Sequence, residues 1–60
     1  MQTEAARWAQ ALLMTTDRYR RGYMVRGTWR VHVQAIWQRI RRERLEYPVR
    51  RILMKHRSSR

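Results

Sequence analysis

Sixty residues carry 15 lysines and arginines against four acids, a net charge of +11, and no cysteine. A chain of this length builds one small domain at most, is marginal on its own core, and has neither a disulfide nor a thiolate metal site to brace it. Two histidines fall short of a structural zinc site, yet an apolar share of 43% with three Trp and three Tyr sets the chain apart from disordered charged tails.

The first predicted element is a helix over residues 3–21. Thr3 is a fitting N-cap, and Glu4 stands in the first turn, where the helix dipole favours an acid. Ala5, Trp8, Ala9, Leu12 and Leu13 make an apolar stripe at helical spacing that extends through Thr16 and Tyr19. Arg18, Arg20 and Arg21 fall in the last turn, and Gly22 follows as the residue able to leave the helix in the left-handed conformation. Thr15-Thr16-Asp17 is the weak point, because Asp17 could cap a separate helix and break this one.

Residues 22–27 connect two glycines, and Thr28 is the expected N-cap of a second helix running to about Glu46. Trp29, Val33, Ile36, Trp37, Ile40 and Tyr47 share one face of its 3.6-residue period. A β-hairpin over residues 23–33 competes locally, because Thr28 to Val33 also alternates polar with apolar. The longer stripe favours the helix. Pro48 ends or kinks that helix by holding Tyr47 extended, and it suits the first position of a third. Val49, Ile52, Leu53 and His56 form a short last stripe, and residues 58–60 are a basic polar tail. The fold class expected is all-α: a helical hairpin of two longer helices plus a short C-terminal helix, one domain over residues 1–60. Its charge and size lead us to expect that it completes folding only against a partner.

Arginine outnumbers lysine fourteen to one. GC-rich codon usage can choose arginine over lysine but does not create a surplus of charge. The guanidinium offers a planar fork of five donors that grips phosphate bidentately and stacks on flat rings. The charge is also uneven. Residues 1–27 carry a net of +3 and residues 28–60 a net of +8, with Arg39, Arg41, Arg42, Arg44, Arg50 and Arg51 close together in the chain. These six are the expected contacts to a nucleic-acid backbone, with Arg18, Arg20 and Arg21 as a second patch. The competing reading is a solvated face balanced by Glu43 with Arg39 and by Glu46 with Arg42 or Arg50. Tyr19 and Tyr23 are candidates for stacking on bases, which leans the expectation towards RNA. Trp8, Leu12, Trp29, Val33, Ile36, Trp37 and Ile40 are assigned to the core or to docking on a protein neighbour.

Catalysis is not expected. There is no Cys nucleophile, no Gly-rich phosphate loop, and no evident pairing of an acid with His32 or His56. His32 is expected to face outward, and His56 to pack or to touch phosphate. No cofactor or metal is implied. The function expected is that of a non-catalytic, arginine-rich accessory subunit of a nucleoprotein assembly. The alternative is a scaffold subunit that docks by its Trp-bearing faces, its arginines meeting acidic protein or lipid headgroups. A membrane-surface helix is disfavoured because arginine interrupts every face of the second helix. The longest uncharged run, Trp8 to Thr16, is far short of the roughly 18 apolar residues that span a bilayer. With no signal-peptide pattern at the start, an intracellular location, cytoplasmic or organellar, is expected.

Overall fold

A computed structural model describes residues 3–58, which form three helices: α1 (Glu4–Arg20), α2 (Arg26–Arg42) and α3 (Glu46–Ser58). No strand occurs among the described residues. Two longer helices and a shorter C-terminal one match the expected architecture. The expected tail is divided: Ser58 closes α3, while residues 59 and 60 lie outside the described residues.

α1 follows its sequence signals closely. The Thr3 hydroxyl accepts from the Ala6 amide at 3.1 Å, satisfying one of the free donors of the first turn. The helix then runs unbroken through Thr15-Thr16-Asp17. Each of those residues is accommodated. The Thr15 hydroxyl donates to the Ala11 carbonyl at 2.8 Å, and Asp17 pairs with Arg21 one turn on at 3.0 Å. Gly22, at φ +85°, ends the helix, with the Tyr23 amide donating to the Arg18 carbonyl and the Gly22 amide to the Tyr19 carbonyl. This is the Schellman arrangement.

The ends of α2 differ from expectation. It begins at Arg26 behind Val25, so Thr28 lies inside its first turn and no side chain caps it. The hairpin over residues 23–33 does not form. The helix stops at Arg42 rather than near Glu46, through a second Schellman turn. Leu45 donates to the Ile40 carbonyl at 2.9 Å and Arg44 to the Arg41 carbonyl at 3.1 Å. The left-handed residue of that turn is Arg44, at φ 58°, the only non-glycine with positive φ among the described residues. What holds it there is packing: Leu45 leaves the turn against a core in which Ile40 is fully buried.

The Leu45 carbonyl accepts the first helical bond of α3, from Val49. Pro48 is therefore the third residue of α3, not the first, in the turn where its missing N–H leaves no bond unmade. Tyr47 belongs to α3 and is exposed, so it is not part of the α2 stripe. His56 is also exposed and does not pack.

The buried centre is small: Ala5, Ala9 and Leu12 of α1, Ile40 of α2 and Val49 of α3. Trp8, Val33, Ile36, Trp37, Leu45, Ile52 and Leu53 pack around it, half-buried. Alanine at positions 5 and 9 leaves room for the neighbouring helices to come close. The α1 and α2 axes run antiparallel, since Trp8 meets Glu43 at one end and Thr16 meets Trp29 at the other. With α3 packed on both, the molecule is a slab of 30 × 30 × 18 Å.

Candidate functional site

Antiparallel pairing of α1 and α2 redistributes the charge that the linear sequence shows. At the α1–α2 corner, Tyr19 and Trp29 stack with ring centroids 4.9 Å apart and planes 15° from parallel. That contact brings Arg26 and Arg30 beside Arg18, Arg20 and Arg21. Five arginines face one acid there, Asp17, for a surplus of four. At the opposite end, Arg39, Arg41, Arg42, Arg44, Arg50 and Arg51 face Glu43 and Glu46, again a surplus of four. The sequence gradient has become two poles of equal strength.

The second pole is the better built. Glu46 Oε1 lies 3.5 Å from Arg41 Nε and 3.4 Å from Arg50 Nη2, so one carboxylate oxygen aligns two guanidinium groups from different helices. Arg50 also lies over the Trp37 ring at 5.6 Å, and Arg51 over the Tyr47 ring at 5.8 Å. Arg39, Arg42 and Arg44 are exposed and make no ion pair among the described residues. Glu43 does not pair with Arg39. It accepts a hydrogen bond from Trp8 Nε1 at 2.8 Å. Nor does Glu46 pair with Arg42, although its expected pairing with Arg50 is present. Part of the clustering has a local cause, since cations in the last turn of a helix offset its dipole, and both α1 and α2 end in arginine. That accounts for three charges of the second pole, Arg39, Arg41 and Arg42, and leaves Arg44, Arg50 and Arg51 without such a reason.

At the first pole, Arg21 is paired with Asp17, whereas Arg18 and Arg20 are exposed and unpaired among the described residues. The sequence reading missed Arg26 and Arg30 here. Their signal was the αα-hairpin itself, which folds residues 26–30 back beside residues 18–21. The two patches are not brought together. Along α2 they are separated by about 14 Å between Arg30 and Arg39, and about 24 Å between Arg26 and Arg42, from the helical rise.

The aromatic residues are largely used within the fold. Trp29 Nε1 donates to the Thr16 hydroxyl at 3.2 Å while its ring stacks on Tyr19, so one face of the stacking candidate Tyr19 is filled. Trp8 and Trp37 pack at the core edge. Among the described residues Tyr23 and Trp8 have no ring or cation partner; Trp8 packs at the core edge, whereas Tyr23 is 75% exposed. Of the residues assigned to core or docking, Leu12 and Ile40 are buried and Trp8, Val33, Ile36 and Trp37 pack against them. Trp29 sits apart, in its stack with Tyr19.

A groove of about 400 Å³ opens between the start of α1 and α3, lined by Ala5, Leu45, Pro48 and Ile52 together with Thr3, Glu4, Arg51 and Lys55. Among the described residues, no group of three His, Asp or Glu side chains is placed to hold a metal ion, and no helix is long and apolar enough to cross a membrane. No protein-family model, curated protein sequence or solved structure matches the chain.

Proposed function

We propose that the protein is a non-catalytic nucleic-acid-binding subunit that holds phosphate backbone through its arginine poles. The observation that carries this reading is the α2–α3 corner. There Arg39, Arg42 and Arg44 stand exposed and unpaired beside Arg41 and Arg50, which a single carboxylate oxygen holds in place. Arginines fixed by a shared acid lose less side-chain freedom on gripping a phosphate than free ones do. Backbone binding of this kind displaces condensed counterions and needs no base-reading motif.

The rival reading, a scaffold docking by its Trp-bearing faces, loses its main support in this fold. Those faces pack on one another, and the exposed large apolar residues, Met14, Tyr23, Val25, Val31, Tyr47 and Met54, are distributed over all three helices and the loop.

Salt titration tests the proposal. With about six phosphates neutralised, log affinity falls with log salt at a slope of about −4 on a single strand and a little over −5 on a duplex. A slope near zero, or protein partners that survive nuclease treatment with no nucleic acid retained, refutes it.

A further inference from the structure

The poles lie at opposite ends of a hairpin whose middle is uncharged. In α1 the stretch from Trp8 to Thr16 contains no ionisable side chain, and in α2 the stretch from Val31 to Gln38 contains only His32. Antiparallel pairing sets these two stretches side by side, as the Trp8–Glu43 and Thr16–Trp29 bonds at either end show. On the α1–α2 pair the result is a neutral waist between two cationic ends, overhung only at Trp37, its second-pole edge, by Arg50 of α3. A ligand that engages both ends must carry phosphates spaced across that waist and be stiff enough to keep them there.

Single strands are poorly served by such a surface. Their recognition rests on successive bases stacking on exposed rings, in a groove that tracks the backbone. Here Tyr19 is against Trp29, Trp37 lies under Arg50, Tyr47 lies under Arg51, and Trp8 is packed at the core. Tyr23 and the uncovered face of Tyr47 are the exposed rings left open, too few to seat a run of successive bases. A double helix asks for no stacking. It presents phosphates every 3.4 Å or so along each strand, so a pole separation of about 14 to 24 Å corresponds to roughly four to seven base pairs.

We propose that both arginine poles grip one duplex at once, so that the protein reads double-helical backbone in preference to single strands. This deepens the nucleic-acid reading and rests on it. The shared chemistry is the duplex phosphate array, whether of RNA or of DNA.

The experiment measures binding of the full chain at low salt to RNA and DNA stem-loops. The stems have four, eight and twelve base pairs closed by one common loop, and single strands of matched phosphate number serve as controls. Affinity should rise about tenfold or more from four to eight base pairs, as the second pole becomes an intramolecular contact, and change little from eight to twelve. Whichever of the RNA or DNA stems binds tighter names the preferred duplex. Two double variants, Arg18→Gln/Arg20→Gln and Arg39→Gln/Arg42→Gln, each remove exposed, unpaired charges from one pole, and circular dichroism checks that helix content is kept. On the eight-pair stem each should reduce the salt slope by about two, and on the four-pair stem their losses should shrink, because either pole can then serve alone. Single strands binding as tightly as stems, no gain between four and eight pairs, or sensitivity to one pole only would overturn duplex bridging while leaving backbone binding intact. Absence of salt-sensitive binding to every probe would instead remove the nucleic-acid reading itself, and this proposal with it.

Discussion

Arg44 holds a left-handed conformation at φ 58° to let α2 turn into α3. For an L-residue with a Cβ that conformation costs about 1–2 kcal/mol relative to the right-handed region. The corner cannot relax by letting Arg44 flip. Doing so would pull the Leu45 amide from the Ile40 carbonyl at 2.9 Å and lift Leu45 from the core. Glycine at position 44 removes the clash but returns about 0.5–1 kcal/mol as extra freedom of the unfolded chain. The net expectation for Arg44→Gly is a gain of about 0.5–1 kcal/mol, or a rise in Tm of about 2–8 °C for a domain this small. Arg44→Ala is the control, because it removes the same charge and keeps the Cβ. It should show no comparable gain, and Arg44→Val should be less stable than either, since a β-branched residue tolerates positive φ poorly. Thermal unfolding followed by circular dichroism at 222 nm reads all three. Equal Tm values for the glycine and alanine variants would refute the argument that backbone strain resides at Arg44. Under the functional proposal the glycine variant should also bind nucleic acid more weakly than the parent, so stability and binding move in opposite directions.

Three further outcomes are expected. Val25 precedes α2 with extended φ and ψ and no capping side chain, so Val25→Asp should stabilise by about 1 kcal/mol, read by chemical denaturation; no change would mean the first turn of α2 is already satisfied. Ile40 is fully buried, so Ile40→Val should cost about 0.5–1.5 kcal/mol and Ile40→Ala about 2–5 kcal/mol, enough to abolish the cooperative transition of a marginal domain; a fully folded alanine variant would show that this core does not sustain the fold. Glu46→Gln loosens Arg41 and Arg50 at an exposed site, so stability should change by less than about 1 kcal/mol while affinity for nucleic acid at low salt falls; a rise in affinity would mean that the negative charge of Glu46 opposes phosphate more than its positioning of the two arginines helps.

The parts of the fold legible in the sequence are those whose signals are local. α1 announces itself by Thr3, Glu4, an apolar stripe and Gly22, and each does in the structure what its chemistry suggests. The ends of α2 were misread because they are set by packing. Thr28 is a more conspicuous cap than Val25, yet the helix starts ahead of it. Arg-Arg-Glu-Arg-Leu-Glu favours helix at every position, so nothing local marks the turn at Arg44, which exists because Leu45 and Val49 reach the core on the other side. Tyr47 fitted the α2 period only as long as that turn was invisible. The arginines of the α2–α3 pole were legible as a run, but Glu46 as their shared partner was only half so: its bond to Arg50 is local, while that to Arg41 crosses the corner. Arg26 and Arg30 entered the first pole through tertiary pairing, which a scan for dense arginine does not detect.

The tryptophans of this chain sit at three separate points on the helix junctions, each in a chemically different setting. The Trp8 indole donates to a carboxylate across the far end of the α1–α2 pair, Trp29 is stacked on Tyr19 at the near end, and Trp37 lies beneath the Arg50 guanidinium where α2 meets α3. Three natural fluorophores thus watch both ends of the α1–α2 seam and the α2–α3 seam. Variants keeping one tryptophan at a time can reveal whether the seams part together on unfolding or whether α3 peels away first. Coincident transitions at all three would mark 60 residues with a five-residue buried centre as a single cooperative unit.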